Sequence, residues 1–209
     1  NTNAPARSPQ RLVGDFFQSA LDTNRLETAR LLPLRPDLDR IDALDGPPAA
    51  AQLVGDWHRR GIAACFGIRV SPDARNSSVY ALHLSQGGLG LPDRDYYLAE
   101  GFASQRAEYQ RHVARQLELA GDSPSSARDA AAAILDLETE LARASRTRTD
   151  LRDREKNYNR RTPAELRAMA PDIDWTGYLT AAGFAEPDYL VVGQPEFLVA
   201  LNRLATERS

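Results

Sequence analysis

"SVYALHLSQGGLGLPDRDYYL", residues 78–98, decides the fold, because it passes from one kind of structure to another within a few positions. Its first arm alternates. Val79, Ala81 and His83 point one way and Tyr80, Leu82 and Leu84 the other, the period of a β-strand. Gly87, Gly88 and Gly90 follow, then Pro92, and the chain reopens as a helix. Glycines between a strand and a helix also mark phosphate loops, in which backbone N–H groups and the helix dipole face an anion. This stretch lacks the Lys-Ser/Thr of such a loop. It has no βαβ frame, and Asp93 and Asp95 put negative charge where a phosphate would sit. The residues read instead as a turn: the glycines permit φ > 0 or close backbone approach, and Pro92 fixes φ. Asp93 is expected to cap a short helix through Asp95, Tyr96 and Tyr97, and Arg94 to pair with a carboxylate elsewhere.

Upstream, "IAACFGIRV" is the other strand-like run, and "SPDARNS" between the two is a turn cluster. The pair predicts a β-hairpin, roughly 62–70 and 78–85. Before it, Ser8-Pro9 starts a helix whose Leu12, Val13, Phe16, Phe17, Ala20 and Leu21 share one face. Asn24 is expected to cap a second short helix, and residues 37–44 form a third. Pro47-Pro48 opens a fourth, which Gly61 ends. Beyond residue 98 the pattern is helical again. Phe102, Arg106, Tyr109, Val113 and Leu117 form a stripe closed by Gly121. Ser123-Pro124 opens a long helix carrying Ile134, Leu137 and Leu141. Residues 159–162 read as a loop, and "TPAE" at 162–165 as a capping box. A short helix ends at Gly183, "YLVVG" reads as an isolated strand, and "PEFLVALNRLA" as the last helix. The class is mainly α: a multi-helix domain with one small β-hairpin, taken as a single unit over 1–209.

Composition narrows the function classes. Hydrophobic residues are 42% and charged residues 26% of the 209, so a packed core is expected rather than disorder. The net charge of −3 gives no basic field for nucleic acid. No apolar run approaches the ~18 residues of a membrane span. Cys65 is the single cysteine, so no disulfide forms within the chain, and its apolar neighbours predict a buried, inert thiol. The chain does not begin with Met and reads as a piece of a longer protein.

Candidate chemistry is sparse. A zinc hydrolase needs paired histidines on one helix face with a carboxylate base, as in H-E-x-x-H. His58, His83 and His112 are followed by Arg59, Leu84 and Val113, and they lie far apart in sequence. They are expected as surface or core residues rather than ligands. Cys65 with one of these histidines is the weakest alternative, a cysteine-dependent hydrolase. Asp136, Glu138 and Glu140 sit on the long helix, Glu138 on a different side from the other two, and a solvated face is expected for them. The arginines 143, 146, 148, 152 and 154 alternate with Asp and Glu and are likewise expected in water.

The stretch "SQGGLGLPDRDYYL" resembles the segment that marks the N-terminal half of the neprilysin-like M13 zinc metallopeptidases. "LDRIDAL", "GIAACFGIRVSPDARNSSVYALHLSQGG", "LETELARASRTRTDLRDREKNYNRRTPAEL", "DWTGYLTAAGF" and "YLVVGQPEFLVALN" extend the resemblance, in order, over nearly the whole chain. The resemblance implies the helical cap domain of a two-domain zinc endopeptidase. In that family H-E-x-x-H and a later Glu ligand lie in the C-terminal half of the parent. The cap encloses a cavity that admits small peptides. No catalytic, cofactor-binding or metal-binding residue of the family carries over to this chain, and Arg94 does not replace the family's substrate-anchoring arginines. Zinc is implied for the parent and none for this chain. The implied partners are the parent's own catalytic domain and small peptides, and the implied location is periplasmic or extracellular. Arg154, Glu155, Lys156 and Tyr158 are expected either to brace the shell as a polar cluster or to lie in an exposed loop. An apolar docking face is expected for the catalytic half. A stand-alone helical interaction domain is the alternative reading.

Overall fold

The computed structural model describes residues 3–207, and the chain divides after Ala43 into two compact units. The first holds three helices: α1 (Pro9–Leu21), α2 (Thr23–Ala29) and α3 (Arg35–Asp42). Ser8 caps α1, its hydroxyl accepting the Arg11 N–H at 3.2 Å. The cap of α2 is Asp22 rather than Asn24. Its carboxylate accepts the Arg25 N–H at 3.1 Å, because α1 runs up to Leu21 and the new helix starts at once. The apolar face of α1 forms as expected, and Leu12, Val13, Phe16, Phe17 and Leu21 are all exposed.

The second unit opens with α4 (Pro47–Arg59), which ends at Gly61 with φ +78°. Strands β1 (Phe66–Pro72) and β2 (Tyr80–Gln86) pair antiparallel, from Phe66 opposite Gln86 to Pro72 opposite Tyr80. The first arm therefore starts later than the expected residue 62. Residues 62–65 instead fold back on the end of α4, where His58 Nε2 lies 2.9 Å from the Ala64 carbonyl. After α5 (Asp95–Leu98) come α6 (Ala103–Ala120), closed by Gly121 in the left-handed region, and α7 (Pro124–Ala144), capped by Ser123. Then follow β3 (Asn159–Arg161), α8 (Pro163–Met169), α9 (Trp175–Ala181), β4 (Leu190–Val192) and α10 (Pro195–Glu207). The capping box of Thr162 and Glu165 is complete.

The sheet differs from the sequence expectation. It has four strands in the order β1-β2-β4-β3, with β4 parallel to β2 and antiparallel to β3. "YLVVG" is thus not isolated, and residues 159–161 are strand rather than loop. Three-residue strands carry too little alternation to announce themselves. Their pairing comes from partners distant in sequence, and the Asn159 side chain adds a 3.0 Å bond to the Val192 carbonyl.

Leu82, Leu84, Leu190 and Val192 on one sheet face join Phe66, Leu141, Leu166, Trp175, Tyr178, Phe197 and Leu198 in the core. On the other face Ala81, His83 and Val191 are buried too, so the centre of the sheet is dry on both sides. Helices α4 and α9 lie so close that a Cβ on Gly55 would strike the Tyr178 carbonyl.

Candidate functional site

The glycine stretch solves a packing problem. Gly88 has φ +74°, and a Cβ there would sit 2.5 Å from the Cys65 carbonyl oxygen. A Cβ on Gly90 would overlap the Tyr109 hydroxyl. That hydroxyl, seated on the bare glycine, donates to Glu138 at 2.8 Å. Tyr97 donates to the other carboxylate oxygen at 2.7 Å and accepts the Leu91 N–H at 2.8 Å. Glu138 is therefore buried, 9% exposed, and not on a solvated face, whereas Asp136 is exposed. Burial first, and then the neighbouring Glu138 carboxylate, push both tyrosine hydroxyls above their ordinary pKa. The two therefore remain donors at physiological pH. Asp93 accepts the Asp95 N–H at 2.9 Å and pairs with Arg148 at 2.7 Å. Among the described residues Arg94 has no carboxylate partner. Its Nε donates to the Ala142 carbonyl at 3.2 Å, at the end of α7 where carbonyls lack helical partners.

Glu138 also forms part of the wall of an apolar groove of about 770 Å³ within the second unit. Ala51 and Val54 of α4, Leu137 and Leu141 of α7, and Leu201 and Leu204 of α10 line it. Asp45 and Cys65 lie on it as well. Cys65 is exposed rather than buried, and its φ is +55°. Its sulphur nonetheless lies among enough protein atoms that desolvation raises the thiol pKa, which argues against a nucleophile.

Two polar clusters brace the sheet. In the first, the Gln86 side chain bonds the Arg146 backbone both ways, at 2.7 and 3.1 Å, while the Gln86 N–H donates to Gln194 at 2.8 Å. Gln194 reaches Asn157 at 2.5 Å. The Arg146 guanidinium donates to the carbonyls of Lys156 and Gly193, to Asn157, and to Glu196. Arg146 is thus a structural hub, its side chain only 12% exposed, and not the solvated arginine expected. In the second, Asp73 is 3% exposed. It accepts the Arg75 and Asn76 N–H groups and the hydroxyls of Tyr158 and Tyr189. The Arg75 amide first, then the two hydroxyls, hold its pKa down at about 2 against burial. Of the expected cluster in the 154–158 loop, Tyr158 joins Asp73, Glu155 pairs with Arg75, and Lys156 pairs with Asp150. Tyr158 and Glu155 thus meet through Asp73 and Arg75, whose guanidinium also lies 4.6 Å over the Tyr158 ring, while Lys156 is tied separately to Asp150.

The histidines do not converge. His58 contacts the Tyr178 hydroxyl at 2.8 Å and packs edge-on against Phe66 and Tyr178. His83 lies buried in β2 with Nε2 unpartnered, and His112 is exposed on α6. Desolvation lowers the pKa of His58 and His83. Among the described residues no three His, Cys, Asp or Glu side chains gather as a metal set. None of the described helices is long and apolar enough to cross a membrane.

What the geometry defines is a helical domain with a small mixed sheet, an apolar groove and no assembled nucleophile or metal site among the described residues. The chain belongs to peptidase family M13, whose N-terminal family model matches residues 1–209. Endothelin-converting enzyme 1 of Cavia porcellus is 29% identical over 220 residues, covering 98% of this chain and 29% of that protein. Endothelin-converting enzyme-like 1 of Rattus norvegicus is 33% identical over 224 residues, with 97% and 28% covered. The crystal structure of Mycobacterium tuberculosis zinc metalloprotease Zmp1 in complex with an inhibitor superposes with a TM-score of 0.92 at 33% identity. It covers 100% of this chain and 32% of the Zmp1 chain. The chain thus spans under a third of the length of these relatives.

Proposed function

We propose that this chain is the helical cap domain of an M13 zinc endopeptidase, and that it forms part of the shell around the active-site cavity and limits substrates to small peptides. The observation that carries the reading is the Zmp1 superposition, in which the entire chain corresponds to one third of a zinc metalloprotease. The donor set agrees with it. His58 and His83 are engaged in packing and the sequence holds no H-E-x-x-H, so zinc and the hydrolytic residues are assigned to the remainder of the parent. A shell of packed helices filters by size, because a folded protein cannot thread into a closed cavity while a short peptide can. The family resemblance supports a periplasmic or extracellular location for the parent.

The test uses the protein encoded by the full reading frame. It is expected to hold zinc stoichiometrically, to cleave short peptides, and to leave folded proteins intact. Chelation is expected to abolish cleavage. Tight zinc binding with peptidase activity in the 209-residue chain alone would overturn the assignment. A reading frame with no zinc motif would support a stand-alone interaction domain instead.

A further inference from the structure

Resting on that reading, we propose that the groove along α4, α7 and α10 is the seat of an apolar segment from the remainder of the parent chain. That segment carries a lysine or arginine facing Glu138 and Asp45. The walls are mainly apolar, aliphatic side chains with Phe66 and Tyr178 among them, and the groove has the volume to take several side chains. Its charged lining is one-sided: among the described residues Asp45 and Glu138 are the only carboxyl groups on it, and no lysine or arginine lines it. The bonds received by Glu138 among the described residues come from the neutral hydroxyls of Tyr97 and Tyr109, and no cation is paired with it.

A purely apolar occupant would strip the remaining water from that carboxylate without return. A buried charge with no counter-charge is strongly unfavourable, and one cation at the right place reverses the sign. The groove therefore selects for apolar side chains with one positive head. The remainder of the parent is the source because 32% coverage of the Zmp1 chain leaves most of such a protein outside these residues. A segment of the same chain also docks without the entropy of bringing two molecules together.

Cys65 stands on the groove as an exposed residue, and once its rate is corrected for the desolvated thiol's raised pKa by labelling across pH, its modification reports whether the groove is filled. The experiment alkylates the native full-length parent and reads modification of Cys65 by peptide mass spectrometry. Modification is expected to be about 100-fold or more slower than in the guanidinium-unfolded protein, independent of protein concentration. Asp45→Lys, which sets like charges against each other at an exposed position, is expected to speed it about tenfold. Leu137→Asp should do the same from the apolar wall.

Three results would overturn the inference. One is native labelling near the unfolded rate. Another is protection that depends on concentration, which would mean a second copy fills the groove. The last is protection that appears only with bound peptide, which would mean substrate does. The zinc content of the same sample separates the two readings. A zinc-loaded, active enzyme with an open Cys65 sinks the groove assignment alone. A protected Cys65 in a protein without zinc sinks the endopeptidase reading alone.

Discussion

Gly88 and Gly101 are both glycines of this chain with opposite duties. Gly88 combines φ +74° with a backbone carbonyl in the space of a Cβ, whereas a Cβ on Gly101 meets nothing within 4 Å. Gly88→Ala is expected to lower stability by about 3 kcal/mol, since neither backbone can yield cheaply. Gly101→Ala should stay within about 0.5 kcal/mol. Urea unfolding of the two variants side by side checks both. Tyr97→Phe removes one donor from buried Glu138 and leaves the Leu91 N–H without its acceptor. A loss of about 1–3 kcal/mol is expected. With Tyr109→Phe it should be non-additive in a double-mutant cycle, because both hydroxyls serve one carboxylate.

Acid sensitivity belongs to the same scale. The folded pKa of Asp73, about 2, lies below its ordinary 3.8. Its contribution to stability is therefore present above about pH 4 and is lost as pH falls through about 2. Asp73→Asn should flatten the stability profile in that window. His58 and His83, with lowered pKa values, bind protons less readily folded than unfolded. Their share is complete above the ordinary 6.5 and declines as pH falls below it. Melting temperatures measured from pH 7.5 down to 2.5 should show the histidine decline first and the Asp73 decline last.

Among the elements, the 153–161 segment depends most on one side chain. Arg146 ties the carbonyls of Lys156 and Gly193 to Glu196. Arg146→Ala is expected to cost about 2 kcal/mol and to raise hydrogen exchange in residues 153–161 before the rest of the sheet. The sequence announced little of this, and the reason is physical. Helix ends were legible because caps act within three residues, as at Ser8, Ser123 and Thr162. The hairpin was legible from alternation in 79–84. Strand β3 was not, because Asn159–Arg161 becomes strand only through Leu190–Val192. Glu138 looked like any helix carboxylate, since the tyrosines that bury it lie 41 and 29 residues away. The absence of a zinc motif was visible from residue spacing, and the family segment was visible in "GGLGLPDRDYY". The groove was not, because its walls come from three helices that share no local pattern.

For the whole molecule, the exposed face of α1 is the feature most open to water. Phe16 is 78% exposed and Phe17 63%, on one side of a short helix. A patch of this kind drives association when nothing covers it. The 209-residue chain on its own is expected to self-associate with rising concentration in light scattering. Phe16→Ser with Phe17→Ser should return it toward monomer. In the full-length parent the same double change should weaken the hold between this piece and its neighbours, read as faster limited proteolysis.

The parallel pairing of β2 with β4 sets an order on biosynthesis. Gln86 finds Gln194 across a separation of 108 residues, and among the described residues the hairpin's inner edge has no strand but β4 to lie beside. While the ribosome makes the intervening helices, the earlier strand must wait with its hydrogen-bonding edge open, a slow and aggregation-prone interval. A nascent chain stalled before Leu190 should therefore engage chaperones, and one released beyond the last helix should not.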